Sequence, residues 1–565
     1  MMQAAKSIDG LMRPPDQVMR LDRLGSMHQT RLSFMRELLR RLHRERWEVS
    51  RPVFDIGPRG AGVATYQASG PERAYTLVCF AHDLPPELRS DRVIAEVWDA
   101  TFSLFDGVPT TVDIDRLGQN VPRQEAGRYR QTELVLARAN RSARLFDNVV
   151  ACLAKGCQPD TDALDSVGYL MRTTAVYGNG KFGIADRDRI AGRPELAGPF
   201  QAEMLTVWLI RAFTIDLVEH MAALAGGRIA ARLDRRLCRR LGIGNATGLG
   251  MAPFLVRHPA LIHNWMAARE TALARVRALP SASRQQIDCF RSALRRFSLH
   301  LSRWTTADPV LGPRLATLSV DLSLISGFTS DAAFAAQLPW DAICRWAEKT
   351  VSLEARELVV SLVLEPHPAI ADPLFESMAT DELASFTIDG RMSCQALLTL
   401  IDRSYAWALA TDFSRREENR LFWYVSEEKL EPRLGERATE AGAELEQPLA
   451  VARDVKLLRE ALTACDPAAS LAQLLIRHPE HRHTVRRVQL ESQRPYAEIR
   501  DNLIGSGVRP IDLLRCKLSF FGATRFDPRS DKWLRVTMFQ NAPHPNEMPD
   551  SYDDGWIWGP EEVPC

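Results

Sequence analysis

An aspartate–histidine pair is the combination of residues in this sequence that is best suited to acid–base catalysis. Asp216 and His220 are four residues apart, so the helix that we predict over 199–224 would place both on one face. A carboxylate beside an imidazole orients the ring and can make it a general base. We therefore predict that Asp216 and His220 are catalytic, with a buried structural ion pair as the alternative.

His82 is a third candidate for catalysis. It follows the β-rich run AYTLVCFA and precedes Asp83 and two prolines. Side chains at the ends of strands and in the following loops are often functional, and clefts form where such a unit meets a second domain. The alternative is a plain turn with solvated polar side chains.

The segment GNGKFG is the first of two glycine-rich candidates for anion binding. Its literal G-x-G-x-x-G spacing lacks the strand before it and the helix after it that a dinucleotide-binding motif requires. Three glycines still let backbone N–H groups approach an anion closely. We predict that the substrate is bound by Gly178, Gly180 and Gly183 together with the cations Lys181 and Arg172. A tight connector is the alternative.

The segment GIGNATGLG, which contains Gly248 and Gly250, is the second glycine-rich candidate. It precedes a predicted helix over 251–278, and the N–H groups and dipole at a helix N-terminus favour a phosphate or carboxylate. We therefore predict that Gly248 and Gly250 bind substrate. It is not a P-loop, because no G-K-[ST] closes it, and a close crossing of helices is the alternative.

Arg141 completes the predicted substrate site. A helix over 132–154 would align it with Arg138 and Arg144, which are three residues away on either side. Guanidinium groups recognise carboxylates and phosphates, so such a stripe could line a site for an acidic ligand. A solvated helix face is the alternative.

Metal and cofactor signatures are weak in this sequence. The ten cysteines are scattered without a C-x-x-C pair, which is typical of a reducing compartment rather than of a disulfide framework. His478, His481 and His483 form the densest histidine cluster, but Glu480 is their one local carboxylate, so we predict surface histidines and no metal site. The cofactor is unknown, and a heme ligated by a lone histidine stays an alternative.

The composition is that of an ordinary globular protein. Of the 565 residues, 45% are hydrophobic and 25% are charged, and the net charge of +1 predicts neither nucleic acid nor a membrane as a partner. The chain has 64 arginines but only 8 lysines, which indicates a bias of genome composition, as in some bacteria. The N-terminus lacks an apolar signal region, and the apolar runs are shorter than the ~18–20 residues of a spanning helix. We expect a cytoplasmic protein, and a homo-oligomer is one possible assembly.

The periodicity of apolar residues predicts a mainly α fold. Through most of the chain, for example over 132–154, 162–176 and 284–302, they recur at spacings of three and four, which is typical of amphipathic helices. We also predict a basic amphipathic helix over 18–47, a β-hairpin over 61–82, a helix over 93–105, and strands over 516–522 and 533–539. The predicted units are a basic helix (1–50), a small α+β unit (51–107), two helical halves (108–320 and 321–490) and a C-terminal β-containing segment (491–565).

An internal repeat is a further hypothesis. The segments FLVRHPALIHNW and LLIRHPEHRHTV, which begin at residues 254 and 474, align with one another. At the same offset, Asp234 corresponds to Asp454. Gene duplication would make the two helical halves similar, whereas chance matches are common in a sequence rich in arginine and leucine.

These observations favour an enzyme that acts on a small anionic molecule by His/Asp acid–base chemistry. The two glycine-rich segments bracket the predicted helix that carries Asp216 and His220. One alternative is a non-enzymatic helical interaction protein that docks through its basic N-terminal helix. The other is a helical protein that binds heme or a metal. The sequence lacks G-x-S-x-G, H-E-x-x-H, kinase and Walker motifs, which disfavours the commonest hydrolase, zinc-protease and kinase classes.

Overall fold

The computed structural model combines a large mixed sheet with many helices. It describes residues 8–88, 97–125, 129–173, 190, 192–247, 259–306, 308–330, 334, 337–378, 387–411, 421–425, 432–436, 451–500, 512, 515–524, 527–530, 533–548 and 552–559. The strands are β1 (Glu48–Ile56), β2 (Gly62–Ser69), β3 (Ala74–Ala81), β4 (Ala100–Asp106), β5 (Glu133–Arg141), β6 (Tyr169–Thr173), β7 (Gly242–Thr247), β8 (Leu421–Val425), β9 (Pro432–Glu436), β10 (Asp527–Ser530) and β11 (Trp533–Met538).

The helices range from single turns to one of 26 residues. The α-helices are α1 (Pro15–Val18), α2 (Leu21–Leu24), α3 (Phe34–Arg44), α4 (Thr111–Gly118), α5 (Phe146–Ala154), α6 (Thr161–Val167), α7 (Gln201–Gly226), α8 (Arg235–Arg240), α9 (Pro259–Arg277), α10 (Arg284–Ser302), α11 (Leu311–Ser330), α12 (Pro339–Thr350), α13 (Leu353–Leu362), α14 (Pro368–Ala371), α15 (Cys394–Ser404), α16 (Ala406–Leu409), α17 (Val451–Thr463), α18 (Leu471–Arg477) and α19 (Arg482–Gln493). A π-helix covers Lys517–Phe521, and 3-10 turns include Pro479–His481.

Among the described residues, nine strands form one sheet in the order β1-β2-β3-β4-β5-β6-β7-β11-β10, and β8 and β9 form a separate hairpin. Within the nine-stranded sheet β6 and β7 run parallel, and the other neighbouring strands are antiparallel. Helix α7 lies across the sheet and contacts β2 through β7. The helix carries apolar side chains on nearly all of its sides, and most of its residues are buried.

The predicted mainly α fold class is wrong, because this sheet is far larger than the two short β segments of the prediction. The segment 132–154 contains β5 and then α5, and the segment 162–176 contains α6 and then β6. Strands that are buried on both faces read as continuous apolar runs, and periodicity alone does not distinguish these from buried helices. In β5, every residue except Arg138 is buried.

Three further local features differ from, or add to, the prediction. Gly168 adopts a left-handed conformation (φ 79°) that ends α6, and β6 begins at the next residue. The predicted helix over 93–105 is wrong, because residues 100–105 belong to strand β4. The predicted strand over 516–522 is wrong as well, because Lys517–Phe521 is a π-helix.

Several predicted elements are confirmed. The predicted hairpin is β2 and β3, which pair antiparallel from Gly62 to Ser69, and the predicted C-terminal strand is β11. Helix α10 has the predicted bounds, 284–302. It begins after Ser283, whose side chain accepts from the backbone N–H of Gln286 in a capping box.

The N-terminal basic segment is mostly buried rather than solvated. The single helix predicted over 18–47 is wrong, since α1 and α2 are single turns and α3 is followed by β1. On α3, Arg36 is fully buried and the side chain of Arg40 is only 10% exposed. Burying these charges requires carboxylate partners, which later parts of the chain provide.

Glu357 on α13 is the centre of the first buried charge network. Its carboxylate accepts hydrogen bonds from Arg13, Arg23 and Arg269, and Arg13 also makes a two-bond contact with Glu270. Burial alone would raise the pKa of Glu357, but the three guanidinium groups more than offset this effect and hold the pKa well below its usual range. The network ties the start of the chain to α9 and α13.

A second network joins α3 to two distant parts of the chain. Arg36 makes a bidentate contact with Glu365, both bonds being 2.8 Å, and it also contacts Asp554 near the C-terminus. Arg31 and Arg40 both contact Asp372 and Asp554. These bonds hold the N-terminal segment, the helical body and the C-terminal tail together.

Helices α15 to α19 have a separate apolar core, built from residues such as Leu397, Ile401, Leu458 and Val485. Tyr496, just after α19, connects it to the rest of the molecule: its hydroxyl donates to the carbonyl oxygen of Arg13 at 2.9 Å. In the described part of the chain, no helix has both the length and the apolar character needed to cross a membrane.

The hypothesis of an internal repeat and the predicted unit boundaries stay predictions. Asp234 caps α8 by accepting from the backbone N–H of Arg236, whereas the corresponding Asp454 lies inside α17. Residues 254–258 of the first repeat segment lie outside the described residues.

We expect the substitution Glu357→Gln to lower the free energy of unfolding by about 3–5 kcal/mol, because it leaves buried guanidinium groups without their carboxylate. The control is Asp402→Asn, at an exposed ion pair with Arg459, which should cost at most about 1 kcal/mol. Denaturant unfolding of both variants measures the difference. Equal losses would show that the Glu357 network does not control stability.

Candidate functional site

The parallel strands β6 and β7 end side by side, and polar residues gather at their carboxyl ends. In the register of this pair, Tyr169 is opposite Gly242 and Arg172 is opposite Gly244. A side chain at Gly244 would collide with the ring of Tyr169, since a Cβ atom there would lie 2.7 Å from it. These glycines therefore belong to a strand that approaches its neighbours closely, and the prediction of a glycine-rich loop over 242–250 is wrong where the structure describes that segment, at Gly242–Thr247.

Lys517 reaches this strand end from the π-helix. Its Nζ donates to Oδ1 of Asn245 at 2.7 Å, and Nδ2 of Asn245 donates to the carbonyl oxygen of Thr173 at 3.0 Å. A chain of two hydrogen bonds thus runs from Lys517 to the last residue of β6. We call Arg172, Thr173, Asn245 and Lys517 the β6–β7 site.

The protonation of Lys517 is unusual for a lysine. The residue is 1% exposed, and burial lowers its pKa to about 7. The charged and neutral forms are then both populated near neutral pH. Single-turn π-helices such as this one often occur at functional sites.

The two arginines predicted to bind substrate lie on opposite faces of the sheet. Arg172 pairs with Asn140 on β5, and Arg141 pairs with Met171 on β6, so the alternation of a strand separates them. Arg172 is buried and is opposite Gly244 of β7, whereas the guanidinium of Arg141 lies over the ring of Phe146, 4.7 Å from its centroid. The predicted helical stripe of Arg138, Arg141 and Arg144 is wrong, because β5 ends at Arg141.

His82 follows β3, as predicted, and is partly buried. Its Nε2 lies 3.1 Å from Oγ1 of Thr101, and its backbone N–H donates to the carbonyl oxygen of Asp99. Burial and then the charge of Arg141 lower the pKa of His82 to about 4. The imidazole is therefore neutral at pH 7 and is a poor proton donor.

Asp216 and His220 are both on α7, but each has its own partners. Asp216 accepts from the hydroxyl of Tyr66 at 2.5 Å and from Arg51 at 2.8 Å. His220 Nε2 donates a hydrogen bond to the carbonyl oxygen of Ile56, at 2.8 Å. These contacts tie α7 to β1 and β2, which is the arrangement expected of structural partners rather than of an orienting pair.

The glycine-rich loop residues lie outside the described part of the chain. They are Gly178, Gly180, Lys181, Gly183, Gly248 and Gly250. Their role in substrate binding therefore stays a prediction. Strands β6 and β7, which precede them in the sequence, end at Thr173 and Thr247.

Lys517 and Asn245 are the residues that sequence reasoning missed. Lys517 lies in the apolar run CKLSFFG, and it is one of only eight lysines. A charged residue within an otherwise apolar run is the sequence signal that could have identified Lys517. The identity of its partner depends on a contact across 272 positions of sequence, which no local pattern encodes.

Comparison with known proteins gives no family assignment: no family model, curated protein or solved structure matches this chain.

Lys517 should make the stability of the protein depend on pH. Its pKa is about 7 in the folded protein and about 10.4 in an unfolded chain, so the unfolded state binds more protons between these values. Folding then becomes more favourable as pH rises, by about 1.4 kcal/mol per pH unit.

Denaturant unfolding at several pH values above 7, compared between the wild type and Lys517→Met, measures this slope. The slope should be lost in Lys517→Met and retained in the control Lys349→Met, which changes an exposed lysine on α12. Parallel curves for the wild type and Lys517→Met would contradict the assignment.

Proposed function

We propose that the protein is an enzyme that binds a small anionic molecule at the β6–β7 site and uses Lys517 for proton transfer. The observation that carries this proposal is the hydrogen-bonded chain from Lys517 through Asn245 to Thr173. It ends where two neighbouring parallel strands end, a position where ligands bind in many α/β sheets.

Charge supports an anion as the ligand. Arg172 is 7% exposed and is one residue before Thr173, so Arg172 and Lys517 are both buried cations near the end of β6, although the register places the side chains of Arg172 and Asn245 on opposite faces of the sheet. Electrostatic attraction is stronger in such surroundings than in water. The first glycine-rich segment follows β6, and Gly248 and Gly250 of the second follow β7, so both would add backbone N–H donors.

The chemistry of Lys517 supports acid–base catalysis. A lysine whose pKa is near the working pH can both donate and accept a proton, as a general acid or base must. A bound anion would raise this pKa, because an opposite charge favours the ammonium form. Binding of substrate would therefore prepare Lys517 to donate a proton.

Lys517 replaces the pair Asp216 and His220 as our candidate for proton transfer. The Asp216 carboxylate accepts a hydrogen bond from Tyr66 and forms an ion pair with Arg51, rather than contacting His220. An interaction protein that docks through its N-terminal helix is less favoured, because most residues of α3 are buried within the same molecule.

The experiment is a binding screen on the full-length protein with inorganic phosphate, dicarboxylates and sugar phosphates, read by thermal shift and then by calorimetry. We expect at least one anion class to stabilise the wild type. Arg172→Gln should weaken that binding by at least about tenfold, since a hydrogen-bonded charge contributes about 1.5–3 kcal/mol.

Two further variants make the result decisive. Lys517→Met should also weaken the binding, whereas Arg235→Gln, which changes an exposed arginine at the start of α8, should bind like the wild type. The proposal is overturned if no anion binds, or if Arg172→Gln and Lys517→Met, both shown to be folded by circular dichroism, bind as well as the wild type.

A further inference from the structure

A compact cluster of metal-ligating side chains lies between α18 and α19, far along the sequence from most of the β6–β7 site. The chain leaves α18 at His478, makes the 3-10 turn Pro479–His481, and enters α19. The imidazole rings of His478 and His481 have centroids 6.1 Å apart, so both lie on the same side of the turn.

The ligand atoms of this cluster are close enough to share one ion. One nitrogen of His478, one nitrogen of His481 and one carboxylate oxygen of Glu480 lie within 4.8 Å of one another. His478 Nδ1 is 3.2 Å from Glu480 Oε1. Two ligands bound to tetrahedral zinc at about 2.0–2.1 Å are separated by roughly 3.3 Å, so this pair already has nearly the required spacing.

In contrast to the sequence, which predicts surface histidines without a metal, these distances lead us to propose that His478, Glu480 and His481 bind a divalent transition-metal ion such as zinc. Two imidazole nitrogens and one carboxylate oxygen are a donor set suited to zinc, nickel or copper rather than to calcium or magnesium. Three protein ligands leave a fourth position open to water or to another ligand. This site is independent of the β6–β7 site.

The neighbouring charges set the strength of binding that we expect. Arg477 and Arg482 flank the cluster in sequence and disfavour a cation, although Nε of Arg477 donates to the carbonyl oxygen of Gln473 within its own helix. Both histidines are only partly buried and Glu480 is exposed, so water competes with the ion for these ligands. We therefore expect micromolar rather than tighter affinity.

The test is a calorimetric titration of chelator-treated full-length protein with zinc chloride, followed by metal analysis after dialysis. The wild type should bind one zinc ion per chain. His481→Ala and Glu480→Gln should each weaken this binding by at least about tenfold, as expected for the loss of a ligand.

The matched control is His483→Ala, which removes an exposed histidine two residues away that lies outside the cluster. It should bind zinc like the wild type, and thermal unfolding in the absence of metal should show that all variants are folded. The proposal is overturned if the wild type binds no zinc at one ion per chain, if His481→Ala binds like the wild type, or if His483→Ala loses as much affinity as His481→Ala.

Discussion

Buried guanidinium–carboxylate contacts are the constraint on which the rest of this structure depends. Glu357 accepts from three arginines that come from α2, α9 and the segment before α1. A charge that has been removed from water is stable only while its partners remain in place. The N-terminal segment and the helices that bind it must therefore assemble together, because each would otherwise bury charges that nothing neutralises.

The same kind of contact determines where the β6–β7 site can form. Asp554 binds Arg31 and Arg36 and so fixes the end of the chain against α3. Strand β11 comes shortly before Asp554 in the sequence. It pairs with β7, the strand that carries Asn245. Lys517 differs from the networked arginines in that burial lowers its pKa to about 7, and it donates to a neutral amide.

The sequence allowed prediction of elements whose signals are local. The β2–β3 hairpin has a turn of Gly70 and Pro71 between two β-rich runs, and α10 has its own capping residue, Ser283. Strands such as β5 were mistaken for helices because their apolar runs are buried on both faces. The candidate site was only partly predictable: Arg172 was identified, whereas Lys517 was not, because its contact with Asn245 joins distant segments of the chain.

The order of strands in the sheet also has a consequence for how the protein is made. Strand β7 ends at residue 247, and its partner β11 begins at residue 533. Ribosomes add roughly 5–20 residues per second, so β11 is synthesised tens of seconds after β7. During synthesis the nascent chain thus presents an unpaired β edge, which is the kind of surface that attracts chaperones or aggregates with other copies.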